Sequence, residues 1–167
     1  MSSSRLLISS PIGELTLVAT RAGLTHLRLS CEPAEDPPGD GSAEAEALLA
    51  EAALQLAAWF AGRRRDLDLP LAPSGTPFQR EVWAALRAIP WGETISYGEL
   101  ARRVGRPGAS RAIGGANHHN PLPIIIPCHR VVGHDGRLTG FGGGLAVKRW
   151  LLEHEGPRIV EDRLVRG

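Results

Sequence analysis

Cysteine is scarce in this sequence: Cys31 and Cys128 are the two among 167 residues. They lie far apart, which argues against a small secreted scaffold built on disulfides and leaves both expected as free thiols. Long apolar runs are missing as well, and nothing approaches the ~20 residues that cross a bilayer. Near the start, Leu6-Leu7-Ile8 is far shorter than the ~7–15-residue core of a signal peptide. An intracellular, cytoplasmic protein with no membrane partner is expected. Internal repeats are lacking, and so is a glycine-rich loop of the nucleotide-binding kind. What is present, 43% hydrophobic and 22% charged residues, is the balance of a globular protein rather than of a disordered or collagenous chain.

The net charge of +1 conceals an asymmetry. Residues 1–73 carry six Arg against ten acidic residues, whereas residues 74–167 carry twelve Arg and one Lys against eight, with five of the six His. A basic half suits an anionic partner such as nucleic acid, although a solvated charged face has the same composition.

The pattern also changes near residue 73. Arg5 to Ser9, Glu14 to Thr20 and Leu24 to Leu29 read as short strands, separated by turns at Pro11-Ile12-Gly13 and Arg21-Ala22-Gly23. Glu32 to Gly41 is an acidic loop rich in Pro and Gly. Ser42 to Ala61, with Leu48, Leu49, Leu56, Trp59 and Phe60, is a helix that covers the sheet and stops at Gly62. Leu67 to Pro73 is an extended linker. Thr76-Pro77-Phe78-Gln79 is a capping box opening a helix that runs through Val82, Trp83, Leu86 and Ile89 to Pro90. A second box, Ser96 to Glu99, opens a short helix with Leu100 and Val104. Gly105 to Gly108 is a turn, and Ala109 to His118 a third helix weakened by Gly114-Gly115. A DNA-binding helix-turn-helix and a plain helical hairpin fit this pattern equally. Ile124-Ile125-Ile126 is a buried β-like run, Gly133 to Gly144 a glycine-rich loop, and Leu145 to Glu155 a last helix ended by Gly156-Pro157. The expected class is α/β in the α+β sense: a domain at 1–73 of antiparallel sheet plus helix, then a mainly helical domain at 74–167.

The apolar run ends at Pro127 and delivers Cys128 beside His129 and Arg130. Cationic neighbours favour thiolate, the nucleophilic form, and a His can take the thiol proton while a carboxylate orients it. Glu155 is the candidate carboxylate. A buried structural cysteine is the plain alternative. Zinc is not expected from Cys128, His129 and His134, which lack the paired spacing of a zinc site, nor from His118-His119, because adjacent helical residues point apart. Gly142-Gly143-Gly144 before a helix suits a phosphate or the close approach of a flat ligand.

Ile126-Pro127-Cys128-His129-Arg130-Val131 resembles the active-site signature of the O6-alkylguanine-DNA alkyltransferases. Further segments are similar to that family in order and spacing: Thr76-Pro77-Phe78-Gln79 to Trp83, Ile89 to Thr94, Ser96 to Leu100, Arg111 to Ala116, Asn120-Pro121, and Leu145-Ala146-Val147-Lys148 to His154-Glu155-Gly156. The likeness is continuous from about Thr76 to Gly156. It is looser before that, resting on Ser10-Pro11-Ile12-Gly13 and Leu15.

The resemblance implies a single-use transferase without a cofactor, which moves an alkyl group from O6 of guanine, and O4 of thymine, in duplex DNA onto its own cysteine. Cys128 would attack, His129 would take its proton through a water, and Glu155 would orient His129. Tyr97 would sit by the flipped base, and Asn120 would brace the turn before the active-site strand. Arg111 would fill the gap in the stack, on a helix whose small residues Ala112, Gly114, Gly115 and Ala116 (with Ala109 before them) enter the minor groove. Ser96 and Arg130 are also assigned to the DNA side, and Val131, Phe141, Gly142, Gly143 and Gly144 to the pocket. Relatives carry a small residue such as Ser at the position of Gly142, so any bond to guanine O6 there must come from backbone N–H, and a glycine wall is expected to admit larger alkyl groups. Thr20 and Thr25 stand where some relatives hold zinc and are poor ligands, so no metal is expected. A monomer is expected, with cooperativity on DNA left open. Some relatives replace the cysteine by Trp and only bind lesions.

Two other readings differ in observable ways. A lesion sensor or regulator would show an operator sequence and a dimer, whereas a repair protein binds most duplexes alike with strong salt dependence. A Cys-His hydrolase would turn over repeatedly and need an oxyanion hole.

Overall fold

The computed structural model describes residues 4–30, 39–141 and 143–165. Cys31, most of the acidic Pro/Gly-rich loop, and Gly142 lie outside the described residues. The chain forms two compact units, Met1–Ser74 and Gly75–Gly167.

In the first unit, β1 (Arg5–Ile8), β2 (Leu15–Thr20) and β3 (Gly23–Leu29) form an antiparallel sheet in that order. The register pairs Leu17 with Leu6 and Leu27, and it slips between Val18 and Ala19. Helix α1 (Ala43–Phe60) starts on Ser42, whose hydroxyl accepts from the Ala45 amide. It buries Leu49, Leu56 and Trp59 with the sheet leucines Leu15, Leu17 and Leu24. Each such side chain contributes roughly 1.5–3 kcal/mol of burial. Alternation puts Thr16 and Val18 of β2 on an open face, but both are buried, so the middle strand is covered along its length. Leu67 to Pro73 is tied down rather than free. Gln55 takes the Asp68 amide and donates to the Asp68 carbonyl, and Leu24 exchanges backbone bonds with Pro70 and Ala72.

The second unit opens with α2 (Pro77–Arg87) on the full capping box of Thr76 and Gln79. A two-residue strand β4 (Ile95–Ser96) leads into α3 (Tyr97–Arg103). The second box is only half made: Ser96 accepts from the Glu99 amide, but the Glu99 carboxylate turns to Arg102 and Arg103 instead. The opposite charges one turn on compete for it and win. A turn stitched by the Gly105 and Arg106 amides joins α3 to α4 (Ser110–His118). Trp83 of α2 donates to the Ala116 carbonyl of α4 at 2.9 Å, locking α2 across the pair. Strand β5 (Val131–Val132) pairs in parallel with β4, helix α5 (Leu145–His154) follows, and the hairpin β6 (Arg158–Val160) and β7 (Arg163–Val165) closes the described chain. No helix among the described residues is long and apolar enough to cross a membrane.

Candidate active site

The expected β-like run before Cys128 is a sequence of tight turns. Ile124 has φ +74°, a left-handed conformation that a β-branched residue rarely takes. Asn120 holds the segment: its amide donates to the Ile126 carbonyl at 2.7 Å and its side-chain oxygen accepts from the Leu122 amide at 2.9 Å. Pro127, with φ −79° and ψ 66°, centres an inverse γ-turn closed by Cys128 N–H to Ile126 C=O at 2.7 Å. A single 3-10 turn, Cys128–Arg130, then feeds β5. Proline suits this geometry because its φ is preset and it has no N–H to satisfy.

The same turn aims three successive side chains inward. Cys128 is 5% exposed, His129 not at all and Arg130 7%. His129 and Arg130 share one partner, Glu155, the C-cap of α5, itself 3% exposed. Arg130 Nε and Nη2 grip the two carboxylate oxygens at 2.9 and 2.6 Å, and Nη1 donates to the Ile89 carbonyl. His129 Nε2 stands 3.0 Å from Glu155 Oε2, close but off the line of an ideal hydrogen bond. Burial lowers the His129 pKa despite the neighbouring carboxylate, so the imidazole is neutral at pH 7. Burial alone would raise Glu155, but His129 and Arg130 override it and bring the carboxyl down to about 2. Nε2 is the ring nitrogen that faces Glu155, which leaves Nδ1 to accept a proton; Nδ1 has no hydrogen-bond partner among the described residues.

A second group of side chains gathers around Tyr97. The β4–β5 pairing, Ile95 to Val131 and Ser96 to Val132, sets Tyr97 beside the segment that carries Cys128. Thr139 Oγ1 donates to Tyr97 Oη at 3.1 Å. Lys148 of α5, fully buried, donates to the carbonyls of Val131 at 2.6 Å and Thr139 at 2.7 Å. Burial lowers Lys148 to about 8, and a Cys128 thiolate opposes that fall. Burial raises Tyr97, the Thr139 hydrogen bond pulls it down, and the thiolate adds to the rise. Both groups therefore feel charge on the sulfur.

A family model described as the 6-O-methylguanine DNA methyltransferase DNA binding domain matches residues 77–157, and its ribonuclease-like domain matches residues 5–73. The chain belongs to the 6-O-methylguanine DNA methyltransferase family. A methylated-DNA--protein-cysteine methyltransferase of Methanosarcina acetivorans is 46% identical over 150 residues, covering 90% of this chain and 96% of its own. One from Mycolicibacterium paratuberculosis is 49% identical over 148 residues, 89% of each. A crystal structure of Mycobacterium tuberculosis OGT in complex with DNA is 49% identical, with a TM-score of 0.81 over 89% of this chain and 90% of that one.

Against the assignments that resemblance to the methyltransferase family implies, the structure gathers Cys128, His129 and Glu155 in one cluster and keeps Asn120 directly behind it. It removes two residues from the DNA side. Arg130 is buried with its guanidinium committed to Glu155 and Ile89, so it holds the cluster together instead of meeting DNA. Ala116 is buried and gives its carbonyl to Trp83, so its small size serves helix packing. Arg111 and Ala112 are exposed, Gly115 is half-buried, and Gly114 backs onto Tyr97, where an added Cβ would lie 4.0 Å from Cε1. Ser96 caps α3 and is half-buried. In the pocket set, Val131 and Gly143 are buried, Phe141 is half-buried and Gly144 exposed. Gly144 has φ +94°, so an alanine there is strained whatever the space, and Gly144→Ala is a poor probe of alkyl size. Lys148 and Thr139 belong to the cluster but were not singled out from the sequence. The signal for Lys148 was available: it is the one lysine of the chain, on a helix whose buried face also holds Leu151 and Leu152.

Proposed function

We propose that this chain repairs alkylated duplex DNA in the cytoplasm by moving one alkyl group from O6 of guanine, or O4 of thymine, onto Cys128. The observation that carries the reading is the buried Cys128–His129–Glu155 cluster with Arg130 gripping the carboxylate. His129 Nδ1 takes the thiol proton through a water. Glu155, held ionised by Arg130, orients the imidazole and stabilises it when charged. The thiolate attacks the alkyl carbon, the S–C bond forms and the C–O6 bond breaks, and the base leaves with its electron pair. The Tyr97 hydroxyl donates to a ring nitrogen of the leaving base as charge develops there. The thioether is stable and no second nucleophile is at hand among the described residues to remove the alkyl group, so the protein acts once.

The reactive carbon is inaccessible inside a base stack, so the nucleotide must be turned out. Arg111, exposed at the start of α4, is suited to occupy the space left behind, because a planar cation can stack and hydrogen-bond together. The first amides of α4 have no side-chain cap and are available to phosphate.

The test is intact-mass measurement after mixing the protein with excess O6-methylguanine duplex. One methyl per chain, mapped to Cys128 and lost in Cys128→Ser, is the expected result. Repeated turnover without a mass gain would establish a hydrolase, and lesion binding without either would establish a sensor.

A further inference from the structure

We propose that Thr139 is a positioning residue for alkyl transfer, which directs the Tyr97 hydroxyl proton toward the substrate; this rests on the reading above, in which Tyr97 serves the leaving base. A phenol carries a single proton and can also accept. Thr139 Oγ1 sits 3.1 Å from Tyr97 Oη, and in the proposed arrangement the threonine hydroxyl donates and the phenol accepts. That bond occupies the accepting side of the phenol, so its own proton is left to point elsewhere. Two carbonyls of this cluster, those of Val131 and Thr139, are engaged by Lys148 Nζ, which makes them weaker competitors for the tyrosine proton. The charge of a Cys128 thiolate is felt at Tyr97, so the freed proton can serve a base brought to that thiol.

Thr139 is itself held in place. Its neighbour Leu138 is 3% exposed and donates its amide to the Asp162 carbonyl of the terminal hairpin. The ring of Tyr97 is seated against α4 at Gly114. One residue thus ties the tyrosine, through its hydroxyl, to the buried lysine, through its carbonyl. The plain alternative is that the threonine merely fills space at the loop and satisfies a half-buried hydroxyl.

The chain contains a single tyrosine, so tyrosinate absorbance against pH reads Tyr97 alone. Thr139→Val should raise its midpoint, because the donor that favours phenolate is gone, and Thr139→Ser should leave it unchanged. Single-turnover transfer from an O6-methylguanine duplex at saturating protein should slow roughly five- to tenfold in Thr139→Val, the worth of one hydrogen bond. Duplex affinity should be unaltered, and Thr139→Ser should restore the rate. In a Tyr97→Phe background, Thr139→Val should cost nothing further. If valine prevents folding, Thr139→Ala removes the donor without the branched bulk and carries the same expectations. An unmoved titration, or losses from Thr139→Val and Tyr97→Phe that multiply, overturns the proposal. Transfer at the normal rate by Tyr97→Phe overturns the role of Tyr97 and this proposal with it, and leaves methyl capture by Cys128 to be judged separately by mass.

Discussion

The Lys148 ammonium is buried and brought down to about 8, while the Glu155 carboxyl, buried too, is brought down to about 2. These two depressions act oppositely on stability. Native Glu155 binds a proton less readily than in the unfolded chain, so its contribution is complete above the ordinary carboxylate range and is lost as pH falls toward 2. Native Lys148 also binds its proton less readily, but here the charged form is the protonated one. Between about 8 and the ordinary lysine value of ~10.4, the unfolded chain holds a proton that the native chain has released, so stability rises with pH across that window. Lys148→Met should abolish this rise in thermal melts from pH 8 to 10.5; an unchanged slope would show that another group sets it. The same variant should also slow capping of Cys128 by iodoacetamide at pH 7, because the nearby positive charge favours thiolate. Arg130→Met leaves the Glu155 carboxylate buried beside a neutral imidazole, and urea unfolding should report a loss of about 3–5 kcal/mol. Arg130→Met combined with Glu155→Gln should recover part of that loss, since no charge is then stranded.

The terminal hairpin β6–β7 does more than end the chain. Leu138 N–H bonds to Asp162, Leu164 N–H bonds to Gly136, and Arg163 pairs with Asp135 at 3.2 Å. Leu164 also packs on a cluster of Val132, Leu138, Leu152 and Ile159. The hairpin therefore pins the loop that ends at Thr139. Leu164→Ser should speed hydrogen exchange at the Leu138 amide and slow methyl transfer together; faster exchange with full transfer activity would separate the hairpin from the site. None of this is legible in Arg158 to Val165, which mixes charges and β-branched residues without a Gly or Asn turn. Glu161 and Asp162 supply the turn with positive φ instead. Elements with local signals were legible: Thr76 and Gln79 made their box, and Ser42 and Ser96 made their caps. Ile124 to Ile126 misled because an apolar run looks alike in a strand and in a buried turn, and the deciding bonds come from Asn120, outside the run. Arg130 was misplaced for the same reason. Its place on the DNA side came with the family resemblance, and its carboxylate partner lies twenty-five residues on.

Across the whole molecule the charges nearly cancel, at +1, so affinity for DNA must come from where the charges sit. In the second unit, Glu99 answers Arg102 and Arg103, and Glu81 stands 3.8 Å from Arg106. These pairs blunt much of the basic character of α3 and of the turn that follows it. Arg111 is exposed and makes no ion pair among the described residues. Its charge is free for DNA, and its two candidate tasks give different salt behaviour. A cation on a phosphate releases counterions, and removing it lowers the slope of log K against log salt by roughly 0.9. A cation inserted into the stack contributes little to that slope but holds the nucleotide outside. Arg111→Ala should therefore leave the slope of duplex binding nearly unchanged while methyl transfer falls by tenfold or more, the worth of a few kcal/mol of unstacking. The rate should recover on a duplex whose lesion faces a mismatch, because such a base costs less to turn out. A slope lowered by about one, with transfer reduced only as far as binding, would make Arg111 a phosphate contact and send the search for the inserted side chain to its neighbours on α4.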